Sequence, residues 1–135
     1  MQAHANAVLG LLRATPNLTV YPAPDSVEQV PDGALPPYVS VYISTRYVLG
    51  PTLEMASARA VTTVTCHCAG GNAIAARAVA QLVSSALLDV VPTIAGRTCF
   101  PIRQEPTDST PRPDESTNRL VMDLIAQYRL ETLPG

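Results

Sequence analysis

Apolar residues recur along the chain with two periods, and these periods predict its helices and strands. Residues 73–91 have apolar side chains at the 3.6-residue spacing of a helix, and Asn72 is placed to cap the first turn. Residues 2–14 predict a shorter helix that Pro16 stops. The apolar face of the longer helix is predicted to consist of Ile74, Ala75, Ala78, Val79, Leu82, Val83, Ala86, Leu87 and Val90.

The two-residue period of a β-strand marks the remaining apolar segments. Strands are predicted at residues 17–22, 37–45, 59–68 and 118–133, and a further strand at about 98–104 contains Pro101. Because proline cannot donate a hydrogen bond to a ladder, this last strand is predicted to lie at an edge or to be bulged. The order of elements predicts an α+β fold, a mostly antiparallel four- to five-stranded sheet with two helices packed on one face.

Two connecting segments are expected to differ in character. Residues 46–57 form a loop or an extended hairpin tip around Gly50-Pro51, and the apolar Val48, Leu49, Leu53 and Met55 are unusual for a solvated turn. Residues 106–118 have the proline-rich, polar composition of a mobile loop. We expect the four apolar residues to form a subunit or tube interface; the alternative is that the tip folds back over its own sheet and completes the core. Leu88, on the polar side of the long helix, and Arg112 are further candidates, although ordinary solvent exposure also explains both.

Length and composition limit the classes of function. A chain of 135 residues is long enough for one domain with a single core, and 47% hydrophobic with 15% charged residues is a globular composition. The net charge is −2 and all nine basic residues are arginine. No dense basic patch is available for a phosphate backbone, and no apolar run has the ~20 residues of a membrane span. Since residues 1–16 lack the features of a signal peptide, we expect synthesis in the cytoplasm.

The stretch Cys66-His67-Cys68 is the clearest candidate for chemistry, since each side chain can bind a metal or serve a thiol enzyme. In a strand, however, successive side chains point to opposite faces, so His67 is expected to point away from both cysteines. The cysteine Cα atoms would be ~6.6–7 Å apart, at or beyond the limit for a disulfide. The sequence therefore favours buried, reduced thiols, with Cys99 as a third, and predicts no metal, no cofactor and no catalytic residue.

The element order and several junctions resemble the tail-terminator or tail-completion proteins of long-tailed (siphovirus-type) bacteriophages. The resemblance covers nearly the whole chain, including "LPPYVSVYIS", "ARAVTTVTCHCAGGN" leading into an alanine-rich helix, and "IAGRTCFPIRQEP" before the long final strand. It depends on pattern, because no invariant catalytic motif supports it.

The resemblance implies a structural virion protein, not an enzyme. Such a protein would form a hexameric ring that caps the tail tube, ends tube polymerisation and offers a surface for head–tail joining. Its partners would be its own copies, the tail tube protein and head-completion or neck proteins, with genome DNA passing through the ring without sequence-specific contact. The alternatives are another neck or head-completion protein of the virion, or a small thiol or metal enzyme that uses Cys66, His67 and Cys68.

Overall fold

Two helices lie against one face of a β-sheet in the computed structural model, which describes residues 2–22, 30–31, 35–48, 59–106, 110–113 and 121–135. The helices are α1 (Gln2–Arg13) and α2 (Ala73–Leu87). The strands of the described residues are β1 (Val20–Tyr21), β2 (Tyr38–Val48), β3 (Arg59–Gly70), β4 (Arg97–Cys99), β5 (Arg103–Glu105), β6 (Arg112–Pro113) and β7 (Met122–Pro134). The predicted α+β class is confirmed.

Three long strands form the centre of the sheet. β3 pairs antiparallel with β2 on one side and with β7 on the other, so that Val41, Cys66 and Ala126 lie in one row. β1 adds a short parallel pairing at the outer side of β2. β4, β5 and β6 all pair antiparallel with the edge of β7 that does not pair with β3. The sheet is therefore mostly antiparallel, as predicted, with one short parallel strand.

The hydrophobic core lies between the helices and the face of the sheet that we call the helix face. Alternate residues of each long strand point into it, and α1 and α2 contribute their apolar stripes. Burying one Val or Leu side chain contributes about 1.5–3 kcal/mol, so this layer supplies most of the driving force for folding. Its fully buried large side chains include Leu12, Val39, Val41, Val64, Val83, Leu87, Tyr128 and Leu130.

The long helix differs from the prediction at both ends. Ile74, predicted on the apolar face, is 77% exposed, and the buried stripe consists of Ala76, Val79, Val83 and Leu87. The helix ends at Leu87, not at residue 91, because Asp89 donates its backbone N–H to Ile102 O (2.8 Å). Ile102 N–H in turn donates to Val90 O (2.9 Å), so these residues pair with the chain around β5 instead of continuing the helix.

The segment around Pro101 pairs at the edge of β7, as predicted, but it is not the single strand that we expected. Instead of one strand there are two short ones, β4 and β5, and both pair with β7 at the side of the sheet. Between them Phe100 N–H still donates to Glu131 O (3.0 Å), whereas Ile102 turns toward Val90. Pro101, which has no N–H, lies at this break.

Two other segment boundaries differ from the predicted ones. β2 continues through residues 46–48, which we expected to belong to the hairpin tip. Within the predicted mobile loop, Arg112 and Pro113 pair with β7, while residues 107–109 and 114–120 lie outside the described residues, so the loop's mobility stays a prediction.

Neither helix of the described residues is long and apolar enough to cross a membrane.

Candidate interaction surface

The Cys66-His67-Cys68 stretch divides between the two faces of β3, as the strand period predicts. Cys66 and Cys68 are fully buried on the helix face, and both are free thiols. Burial raises the pKa of Cys66 to about 12 and also raises the pKa of Cys68 well above its ordinary value. A thiol with such a pKa is almost entirely protonated at neutral pH and is a poor nucleophile. No three His, Cys, Asp or Glu side chains in the described ranges are arranged to hold a metal ion.

His67 lies on the opposite face of the sheet, which we call the outer face. Its Nδ1 is 3.0 Å from Asp123 Oδ2 on β7, and its ring meets that of Tyr42 edge-on at 5.4 Å. Ser40 lies directly opposite His67 in register, but its hydroxyl oxygen is shielded from solvent and has no hydrogen-bond partner among the described residues. Ser40, His67 and Asp123 therefore do not present an accessible nucleophile. The His67 ring and the Asp123 carboxylate instead link β2, β3 and β7, a contact that the two-residue period does not predict.

The glycine pair after β3 forms a close-packed junction with α2. Asn72 Oδ1 accepts the Ala75 N–H at 2.8 Å and so caps the helix, as predicted. A Cβ at Gly70 would lie 2.4 Å from Ala76 N, so only glycine fits there. The side-chain oxygen of Asn72 occupies the first helical turn, where an anion would otherwise accept these hydrogen bonds.

The predicted interface residues that the structure describes are exposed but lie far apart. Val48 is 40% exposed at the last position of β2, where it pairs with Arg59. Arg112 is exposed near the opposite end of the sheet, where β6 pairs with Asp123. Leu88 is 37% exposed at the C-cap of α2, in the helix layer. Leu49, Leu53 and Met55 lie outside the described residues.

Leu88 is one of three exposed apolar residues in the two segments that meet after α2. Val91 is 56% and Phe100 is 42% exposed, and the backbone hydrogen bonds between residues 89–90 and Ile102 bring the two segments together. We call Leu88, Val91 and Phe100 the junction patch. The two segments come together only through the hydrogen bonds of residues 89–90 with Ile102. The sequence therefore showed only individual apolar residues near Pro92 and Pro101, with no sign that their segments meet.

The outer face carries exposed charge at one end of the sheet. At the end where Val48 pairs with Arg59, three arginines project from adjacent strands: Arg46, Arg59 and Arg129. Arg59 is 3.8 Å from Glu131, and Arg129 is 3.3 Å from Glu105. Both are exposed ion pairs, which contribute little to stability because water and salt screen them. This charge is therefore available to a partner.

The opposite end of the outer face is covered by apolar side chains. Tyr38 and Ala69, paired in register, are buried together with Val121, and Tyr21 and Val30 pack against them. The rings of Tyr21 and Tyr38 meet edge-on at 5.6 Å. The two ends of the outer face thus differ, one exposed and basic and the other covered and apolar.

Comparison with known proteins agrees with the resemblance noted in the sequence. The family described as tail completion protein gp17 matches residues 6–129. A chain in the virion of a native gene transfer agent (GTA) particle has a similar structure, with a TM-score of 0.65 and 17% identity over 94% of this chain and 92% of that chain. At 17% identity, the similarity to the gene transfer agent chain shows a shared fold. No curated protein sequence is significantly similar to the chain.

Proposed function

Because the chain belongs to the tail completion protein gp17 family, and is thus a tail completion protein of phage-type virions, we propose that it ends tail growth as a ring of six copies on the tail tube. In this proposal the ring lies at the head-proximal end of the tail. One side binds the tail tube protein, and the other offers a surface to head-completion or neck proteins. Genome DNA passes through the ring without sequence-specific contact.

The observation that carries this proposal is the family match over residues 6–129, which includes all of β2, β3 and α2 and most of α1 and β7. The geometry supports it. A closed ring needs a heterologous contact, in which one surface of a subunit meets a different surface of the next. The basic end of the outer face and the exposed apolar residues of the junction patch are unlike groups that could serve as the two sides of such a contact.

The connection between β2 and β3 supplies the apolar part of the proposed contact. It leaves the sheet at Val48, already 40% exposed, and returns at Arg59, at the basic end of the outer face. The sequence of this connection adds Leu49, Leu53 and Met55. Burying such side chains against a neighbouring subunit or the tube contributes up to about 1.5–3 kcal/mol each before ordering costs are subtracted.

The role proposed here is structural and uses no catalytic residue or cofactor. The raised pKa of Cys66 and the shielded hydroxyl of Ser40 support this assignment.

Charge insertion into the β2–β3 connection tests the proposal. The double variant Leu49→Asp with Leu53→Asp should fold cooperatively but fail to cap tail tubes, so that tubes assembled in its presence overgrow. Tube length is measured by electron microscopy and folding by thermal unfolding.

Leu35→Asp with Ile74→Asp is a matched control, because Leu35 and Ile74 are 70% and 77% exposed and lie outside the proposed contact. The control should cap tubes at normal length. Normal capping by the Leu49/Leu53 variant would show that the interface lies elsewhere, and unfolding of that variant would show that the connection belongs to the subunit's own core. Localisation of the wild-type protein to the head vertex of virions that lack tails would instead favour a head-completion role.

A further inference from the structure

One row of paired residues crosses the sheet from the edge of β2 to the edge of β5. Ile43 of β2 pairs with Val64 of β3, and Val64 pairs with Tyr128 of β7. Tyr128 pairs in turn with Gln104 of β5. We call these four residues the edge-to-edge row. Residues paired across strands share a face, so Ile43 and Gln104 both have their side chains on the helix face.

The backbone of Ile43 points away from the sheet. Val39 N–H donates to Thr19 O (2.9 Å), at the edge of β2 that does not pair with β3. Every second residue of an antiparallel strand points its N–H and C=O to the same side, and the register of β2 with β3 is unbroken from Tyr38 to Val48. Ile43 therefore shares the direction of Val39. β1 pairs only with Val39 and Ser40, and no other described strand pairs with this edge.

The backbone of Gln104 points outward at the opposite edge. Glu131 O accepts the Phe100 N–H (3.0 Å), so Glu131 faces the edge of β7 that does not pair with β3. By the same alternation Arg129 and Gln127 face that edge too, and their partners in β5 are Arg103 and Glu105. Gln104, between those two, therefore directs its N–H and C=O away from β7. It is exposed, and within the described ranges β5 pairs with no strand except β7.

We propose that Ile43 of one subunit pairs with Gln104 of the next, so that the sheet continues from β2 of one copy into β5 of its neighbour. The inference rests on the proposed ring, for which it names the contact between subunits. Strand directions agree, because β5 is antiparallel to β7, as β3 is, and so runs opposite to β2. The Ile43–Gln104 pair would exchange two backbone hydrogen bonds. The contact is heterologous, as a closed ring requires.

The neighbouring side chains of the two edges are complementary. On the outer face, Tyr42 of one copy would lie opposite Glu105 of the next, where a phenol O–H can donate to a carboxylate. Ser44 would lie opposite Arg103, where a guanidinium can donate to a hydroxyl oxygen. Tyr42 is 48% exposed, and Ser44 and Arg103 are exposed as well.

Each edge is bounded, which fixes the register of the proposed pairing. β1 covers β2 at Val39 and Ser40, and residues 89–90 cover Ile102 through two backbone hydrogen bonds. The pairing is therefore limited to residues 42–44 opposite residues 103–105. A second copy suits these edges better than an unrelated extended peptide, because the two edges match each other in level, direction and face.

Hydrogen exchange at single amides tests the pairing without any substitution. The amides of Ile43 and Gln104 should exchange rapidly in unassembled subunits and at least about tenfold more slowly in rings on tail tubes, because an amide that gains a hydrogen bond becomes protected. The Ser44 amide, which faces β3, should exchange slowly in both states. The Ile74 amide, in the first turn of α2, should exchange rapidly in both.

Substitution of Gln104 provides a second test with a matched control. Gln104→Pro removes the outward N–H, and an edge position tolerates proline when its N–H has no partner within the subunit. Gln104→Ala removes the same side chain but keeps the N–H. The proline variant should need at least about tenfold more protein for half-maximal capping of tubes, whereas the alanine variant should cap like the wild type. Both should unfold within about 3 °C of the wild type.

The outcomes separate this inference from the ring itself. If wild-type protein forms no ring on tubes, the proposed function fails. If rings form but the Ile43 and Gln104 amides stay unprotected, or Gln104→Pro caps tubes as well as Gln104→Ala, the ring stands and the pairing is wrong. Protection of only one of the two amides also contradicts the pairing. Should Gln104→Pro fail to fold, hydrogen exchange in the wild type still decides.

Discussion

The junction at Gly70 offers a sharp test of how α2 is fixed to the sheet. A Cβ built on Gly70 would lie 2.4 Å from Ala76 N, 2.6 Å from Ala75 C and 2.7 Å from Ala75 Cβ. Two of these are backbone atoms of the first helical turn. That turn is held by the Asn72 side chain on Ala75 N–H and by Asn72 O on Ala76 N–H (3.0 Å), so it cannot retreat without losing the cap.

We therefore expect Gly70→Ala to destabilise the protein by about 1–3 kcal/mol, the usual cost of overpacking a close-packed site. Gly71→Ala is the matched control, because a Cβ there has no heavy atom within 4 Å. Both substitutions reduce the entropy of the unfolded chain equally, a stabilising effect of about 0.4–1 kcal/mol, so the difference between them isolates the collision.

Urea unfolding measures this difference. The midpoint of Gly70→Ala should fall while the slope of the free energy against urea stays unchanged, and Gly71→Ala should equal or slightly exceed the wild type. Equal stability of the two variants would refute the close approach of α2 to the end of β3.

Two further predictions concern buried titratable groups. Cys66 and Cys68 should react with an alkylating reagent at neutral pH only as fast as the protein unfolds, because burial raises the pKa of both thiols, and rapid labelling of either thiol in native protein would contradict this expectation. Replacing both cysteines with Ala should lower the free energy of unfolding by about 1 kcal/mol per site and leave tail capping intact. His4 is buried with its Nε2 2.9 Å from Thr132 Oγ1, and burial, reinforced by Arg97, lowers its pKa below 6.5. Because the imidazole is protonated more readily in the unfolded chain than in the folded protein, the free energy of unfolding should fall as the pH drops below 6.5. The fall should be smaller in His4→Gln. An identical pH profile for the wild type and this variant would show that His4 is not the group responsible.

The sequence patterns predicted the central layer of the fold correctly, because strand and helix periods report which side chains must leave water. Val39, Val41 and Ile43 of β2 pack in the core between sheet and helices, as their alternation with serine and tyrosine predicted. The separation of His67 from Cys66 and Cys68 followed from the same two-residue period. Asn72 as a cap, and an edge position for the segment around Pro101, were predicted from the hydrogen-bonding capacity of single residues.

The errors occurred where a tertiary contact overrides local pattern. Residues 88–91 continue an apolar helical pattern, but the hydrogen bonds that Asp89 and Val90 make with Ile102 end α2 at Leu87. Ile74 has the spacing of the core stripe, yet it lies in the first turn of α2 and is 77% exposed.

Local pattern determined the elements of this protein and the face that each strand buries, since both depend on residues within a few positions of one another. Only the tertiary structure decided which side chains share a surface. Arg46, Arg59 and Arg129 lie up to 83 positions apart along the chain and become neighbours only through the register of β2, β3 and β7. The segments that carry Leu88, Val91 and Phe100 are likewise brought together by two long-range backbone hydrogen bonds. Surfaces for partners are therefore a property of pairing register, which no periodicity in a single strand or helix contains.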